Sequence, residues 1–158
     1  MVKLPSIKEY IMIKKTDGFT LVELIVVIAI LAVLAGIAIP RFMNTTKIAH
    51  GSKIIADINA CESAVNIYYS RNGVFPENSD SLVGNYLAAW PKPPIGGAVL
   101  KKLDDSDLEL EVQASSYVYA KPADNAELSI RTGRITLGGK TIDEILSTSA
   151  DSLTLADD

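Results

Sequence analysis

The sequence predicts an α+β chain in which one long N-terminal helix, membrane-spanning in its first half and amphipathic in its second, packs on a small antiparallel β-sheet. Three observations carry this: an uninterrupted apolar run from Phe19 to Ile39, apolar residues at three- and four-residue spacing from Ile54 to Tyr68, and short alternating segments beyond Leu108. With 158 residues, the chain has room for one modest core beside the helix.

The run FTLVELIVVIAILAVLAGIAI covers residues 19–39 and holds a single charge, Glu23. As a helix it is long enough for a hydrocarbon layer of about 30 Å. Its fourteen large apolar side chains favour insertion by about 6 kcal/mol against about 3 for one central carboxylate, and Glu23 lies near an end, where the cost falls. A secretory signal would show an apolar core of about 7 to 15 residues closed by small residues. This run is longer and closes on Ile39-Pro40-Arg41. Lys14 and Lys15 precede it and place the N-terminus in the cytoplasm, so residues 40–158 form an exterior domain.

In that span Glu23 is a functional candidate because an ionisable group in lipid is costly. Ala32 and Gly36 form a small-xxx-small pair that lets apolar helices approach closely. Pro40 removes a backbone donor and is expected to kink or open the helix, with Gly36 weakening it further.

Taken together, KKTDGFTLVELIVVIAILAVLAGIAIPRF resembles the N-terminus of type IV prepilins and the related secretion pseudopilins, over about a third of the chain. The elements of the likeness are the basic stretch, Gly18, Phe19 directly after it, Glu23 four residues on, and the apolar helix. The resemblance implies a type IV pilin-like fold and a leader of residues 1–18 removed by a membrane prepilin peptidase between Gly18 and Phe19. It further implies methylation of the new Phe19 amine from S-adenosylmethionine, and a filament core built from residues 19–39 in which Phe19, Glu23, Ala32, Gly36 and Pro40 serve assembly. The stretch Gly36 to Pro40 is expected to melt in the fibre. A freed Phe19 amine, with an ordinary pKa of about 7.7 to 8.0, would be cationic and could pair with Glu23 of a neighbouring subunit. Leaders of this kind are commonly short and basic, so Met12 is expected to be a sufficient start, with residues 1–11 dispensable.

Beyond Pro40, the stripe Ile54, Ile58, Cys61, Val65 and Tyr68 predicts an amphipathic helix that Asn72-Gly73 and Pro76 stop. Cys61 falls within the stripe and reads as a small buried apolar residue. The stretch through Pro91, Pro93, Pro94 and Gly96-Gly97 reads as a connector with a short amphipathic piece from Ser79 to Trp90. Residues 108–112, 117–119, 128–130 and 135–137 read as half-buried antiparallel strands, with turns at Thr132-Gly133 and Gly138-Gly139. The Ser-, Thr- and Asp-rich tail after Leu146 reads as loose.

Charge and residue inventory narrow the function. The residues up to Gly18 carry +2, which leaves −6 of the whole-chain −4 from Phe19 onward. An acidic body without a Lys/Arg cluster lacks the footprint of a nucleic-acid binder, so no direct nucleic-acid contact is expected. One cysteine and one histidine, Cys61 and His50, exclude an internal disulfide and a His/Cys zinc site within one chain. Asp104, Asp105 and Asp107 lack the Gly and distal Glu of a calcium loop and read as a solvated turn. No nucleophile, base or phosphate motif is evident, so neither catalysis nor a cofactor is expected.

The leading reading is a structural subunit, a major pilin that polymerises through its N-terminal helix for adhesion, motility or surface attachment. Its partners would be further copies, the prepilin peptidase and the membrane assembly machinery. It would begin as a single-pass membrane precursor and end in an extracellular filament. A pseudopilin of a type II secretion or DNA-uptake system is the alternative within the family. A membrane-tethered binding domain or enzyme is the alternative outside it.

Overall fold

A computed structural model describes residues 18–122 and 134–157. Residues 1–17, the expected strand at 128–130 and the expected turn at Thr132-Gly133 lie outside the described residues. The chain divides between Ile39 and Pro40 into two compact units. Helix α1, Leu21–Asn72, is assigned without interruption and includes Pro40.

In the first unit every residue from Gly18 to Ile39 is exposed. A helix that is apolar all round has no soluble face, and its surroundings must be lipid or other apolar helices. This stretch is long and apolar enough to cross a membrane.

In the second unit α1 buries Gly51, Ile54, Ile58, Cys61, Ala64 and Val65, the expected stripe, while Tyr68 is half-buried. The helix stops where expected, with Gly73 at φ 72°, a left-handed conformation that favours glycine. The stripe packs on a three-stranded sheet of β1 (Gly96–Lys101), β2 (Asp107–Val112) and β6 (Ser152–Leu155), in the order β1-β2-β6. β1 and β2 are antiparallel, with Gly96 opposite Val112 and Lys101 opposite Asp107. Leu108, Leu110 and Val112 face the core, and Glu109 and Glu111 face water.

Two expectations fail here. β6 pairs parallel to β2, with Val112 opposite Leu155, so the sheet is mixed. The tail after Leu146 is also ordered: Leu155 is fully buried, and the Ser115 amide and hydroxyl donate to the Asp157 carboxylate at 3.0 and 2.7 Å. The burial of one leucine and the pairing of four strand residues outweigh the polar composition of the segment.

A second sheet, wholly antiparallel, joins β3 (Tyr117–Tyr119), β4 (Ile135–Leu137) and β5 (Lys140–Thr141). Gly138 and Gly139, both at positive φ, make the two-residue turn between β4 and β5. Helix α2 (Ile142–Leu146) follows, opened by a Thr141/Glu144 capping box and anchored by buried Ile145.

The connector after α1 is ordered as well. Its helical part is a single 3-10 turn, Ser79–Leu82, capped by Asn78, which is shorter than the amphipathic piece expected from Ser79 to Trp90. Leu82 and Phe75 join Ala64 and Val65 in a second apolar cluster. Trp90 Nε1 donates to Tyr117 O at 2.9 Å, and the Tyr119 hydroxyl donates to Pro76 O at 3.0 Å.

Helix and sheet approach closely at Gly51. Glu109 N donates to Asp151 O, so the odd-numbered residues of β2 turn their backbone groups toward β6, and Val99 and Gly97 opposite them turn theirs to the free edge of β1. α1 covers that edge. His50 Nδ1 donates to Gly97 O at 3.0 Å, and a Cβ on Gly51 would lie 1.9 Å from Val99 O. The Gly51 Cα is therefore no more than about 3.4 Å from that oxygen, the range of a Cα–H···O contact. A row of open strand carbonyls is thus closed by helix backbone and one imidazole.

Candidate functional site

The apolar run that opens α1 leaves its first amides without intrahelical partners, and the two polar residues at its start meet that need. Thr20 is the N-cap. Its backbone N–H and its hydroxyl both donate to Glu23 Oε2, at 2.9 and 2.8 Å, and the Glu23 N–H donates to Thr20 Oγ1 at 3.2 Å. This is a capping box, with the carboxylate placed at the positive end of the helix dipole. One oxygen of the Glu23 carboxylate thus carries two hydrogen bonds from its own helix start. No partner of Oε1 is found among the described residues.

Gly18 and Phe19 precede the helix in non-helical backbone, both exposed. Nothing lies within 4 Å of a Cβ built on Gly18, and the Phe19 side chain is 81% exposed. Phe19 and Glu23 are brought together at one helix end. Ala32 and Gly36 lie further along the span, about one turn apart on one face, and a Cβ on Gly36 would meet nothing within 4 Å. Among the described residues no neighbour requires glycine there. Pro40 is the first residue of the second unit and lies within α1.

Sequence reasoning missed Thr20. Its signal was present as Thr20-x-x-Glu23 ahead of an apolar run, the pattern of a capping box.

The other candidate groups are engaged in structure. Cys61 is buried, and burial, aided by the Asp57 and Glu62 carboxylates, pushes its thiol up to about 12. Burial likewise raises the Tyr117 phenol, whose hydroxyl donates to Asp57 Oδ2 at 3.0 Å, and Asp57 also pairs with Lys53. Asp104 accepts from the Ser106 amide and hydroxyl, which holds its carboxyl below the usual range, and Asp107 pairs with Lys101 at 2.9 Å. These contacts make the expected hairpin turn, and among the described residues no group of three His, Cys, Asp or Glu side chains could hold a metal ion. Arg134, 2% exposed, donates from Nη1 to Asn66 Oδ1 at 2.8 Å, and its Nε and Nη2 have no hydrogen-bond partner among the described residues.

The prokaryotic N-terminal methylation motif family matches residues 13–39. The chain is 34% identical to the type IV major pilin protein PilE1 of Neisseria gonorrhoeae over 113 residues, which are 72% of this chain and 50% of that protein. It is 31% identical to the type IV major pilin protein PilE of the same organism, covering 69% of this chain and 70% of the relative. It is also 31% identical to the type II secretion system core protein G of Escherichia coli strain K12, covering 70% and 76% respectively. The match thus spans half the length of PilE1 but more than two thirds of the other two relatives. No solved structure matches significantly.

Proposed function

The chain belongs to the family of type IV pilins and type II secretion pseudopilins, and from that membership we propose that it is the major subunit of a type IV pilus. The precursor is held in the membrane by residues 19–39 with its N-terminus in the cytoplasm. Prepilin peptidase removes residues 1–18 and methylates the Phe19 amine. The assembly machinery then draws the subunit into an extracellular fibre for adhesion, motility or surface attachment.

The observation that supports this reading is the helix start. An exposed apolar stretch opens with an accessible Gly18-Phe19 bond and a carboxylate four residues on. In the fibre, Glu23 pairs with the Phe19 amine of a neighbouring subunit. At 4 Å and an effective dielectric near 20 the attraction is about 4 kcal/mol. Desolvation offsets much of it, whereas removing one partner leaves a buried charge at a cost of about 3 to 5 kcal/mol, so the pair sets register more than it adds stability. Ala32 and Gly36 supply the close helix approach in the fibre core.

The test is mass spectrometry of sheared filaments. The expected mature chain begins at Phe19 with a methylated amine. An intact N-terminus, or cleavage after Ala38, overturns the reading. The likeness to core protein G favours a second reading, a secretion pseudopilin, in which the chain forms a short fibre. Deleting the gene distinguishes them: loss of surface filaments supports the pilus, and loss of protein secretion with filaments intact supports the pseudopilus.

A further inference from the structure

Helix α1 ends on Asn72, and Gly73 follows at φ 72°. In such a pair the side-chain carboxamide is open to attack by the next backbone nitrogen, because glycine has no Cβ to stand in the way. Both residues are exposed, and nothing among the described residues lies within 4 Å of a Cβ built on Gly73, so water reaches the pair. The helix end nevertheless holds both reacting groups. The Gly73 N–H donates to Tyr69 O at 2.8 Å, and Asn72 Nδ2 donates to Tyr68 O at 2.9 Å and to the Tyr86 hydroxyl at 3.4 Å. The nitrogen that would attack is committed to the last turn, and the carboxamide is turned back along the helix.

We propose that Asn72-Gly73 is a deamidation site that the end of α1 keeps closed and that opens when the last turn frays. On opening, the Gly73 nitrogen loses its proton and attacks Asn72 Cγ, the Cγ–Nδ2 bond breaks, and ammonia leaves a cyclic imide. Water then opens the imide on either side, giving aspartate at position 72 or its isomer linked through the side-chain carboxyl. No oxidant or reductant takes part. The product cannot re-form the closed end: the donor to Tyr68 O is gone, and a carboxylate stands at the negative end of the helix dipole. Tyr68, Tyr69 and Tyr86 pack there on the cluster that holds Phe75 and Leu82, so one fraying event leaves a lasting loosening of that cluster.

The test follows the Asn-to-Asp mass change at position 72 by peptide mapping of the full chain, incubated at mildly alkaline pH either folded in detergent or unfolded in denaturant. Two ordinary hydrogen bonds must break before the folded chain reacts, so its rate is expected about thirtyfold below that of the unfolded chain. Arg71→Gly leaves the reacting pair intact. It weakens the last turn through the low helix propensity of glycine and removes the guanidinium that lies 5.6 Å over the Tyr86 ring, and it is expected to narrow that ratio about fourfold. Asn72→Gln, which would have to close a larger ring, should lose the signal. Asn72→Asp, the product made directly, should melt below Asn72→Ala, since both lose the amide donor and only the first adds a charge. Equal rates in the folded and unfolded chains, or a ratio unmoved by Arg71→Gly, overturn the guarding role of the helix end. Conversion at position 72 no faster than at the other asparagines of the unfolded chain overturns the site itself. An Asn72→Asp chain that melts with Asn72→Ala or above it overturns the lasting effect.

Discussion

Gly51→Ala should destabilise the exterior unit, although helix propensity alone predicts the opposite. An alanine in a helix interior is favoured over glycine by about 0.8 to 1 kcal/mol. At Gly51, however, the added Cβ would lie 1.9 Å from Val99 O, 2.7 Å from Val99 C and 3.0 Å from Leu100 Cδ2. The first two atoms are strand backbone, so no rotamer change relieves the clash, and α1 must move from β1 by more than about 1 Å to restore van der Waals contact. Overpacking of this kind costs about 1 to 3 kcal/mol, here toward the upper end, and the neighbouring His50–Gly97 hydrogen bond adds about 1 when it is stretched. The net is a loss of about 3 kcal/mol, or roughly 10 °C in melting temperature for a unit of this size. Thermal unfolding of the full chain in detergent, followed by Trp90 fluorescence, measures it. Gly36→Ala is the control, because a Cβ there meets nothing within 4 Å, and its melting temperature should be unchanged or slightly raised. A Gly51→Ala chain that melts with the control would refute the close approach of helix and strand.

Cys61 should resist alkylation by iodoacetamide at pH 8 in the folded chain and react readily in denaturant, since burial raises its thiol from an ordinary 9.0 to about 12. The folded state holds the proton more tightly, so this contribution to stability is complete below pH 9 and is lost as pH rises toward 12; melting temperatures across that range check the sign. Arg134→Met should leave stability unchanged or raise it, because it removes a buried charge that has one neutral acceptor among the described residues and keeps the apolar contact with the Phe75 ring. Asn66→Ala should cost about 1 to 3 kcal/mol in the wild-type chain and much less in the Arg134→Met background, a difference that a double-mutant cycle of melting curves reads directly. Expression from Met12 should give the same cleaved product as the full chain by mass spectrometry, and loss of processing would show that residues 1–11 belong to the signal.

What could be read in advance depended on how local the cause was. The apolar span and the stripe Ile54, Ile58, Cys61 and Val65 are set by spacing along one element, and both appear as expected. β2 was equally plain, because its alternation spans six residues and one face meets water. β1 is less plain, because its first two residues, Gly96 and Gly97, read as the end of a Gly/Pro connector. Gly97 is a strand residue by its pairing with Glu111 of β2, and the Lys47 side chain, fifty residues earlier, lies over it, 3.0 Å from where a Cβ would be. β6 was hidden for a similar reason: Ser152–Leu155 carries little pattern of its own and becomes a strand only beside β2, which lies some forty residues earlier.

The site shows the same division. Gly18, Phe19 and Glu23 could be named from order alone, since a protease and a membrane both read a linear segment. What order alone did not convey was how one carboxylate is shared. A lone Glu23 in an apolar run is a cost awaiting a partner, and the resemblance implies one in another subunit. The capping box supplies part of the answer within the chain: Thr20 takes up Oε2 at the helix end. In the proposed fibre, the demand left for a neighbour is one oxygen rather than a whole ion. A demand of that size suits a subunit that must first reside in lipid as a monomer and then exchange lipid for its own copies, because a fully satisfied carboxylate would gain nothing by assembling and a bare one would resist insertion.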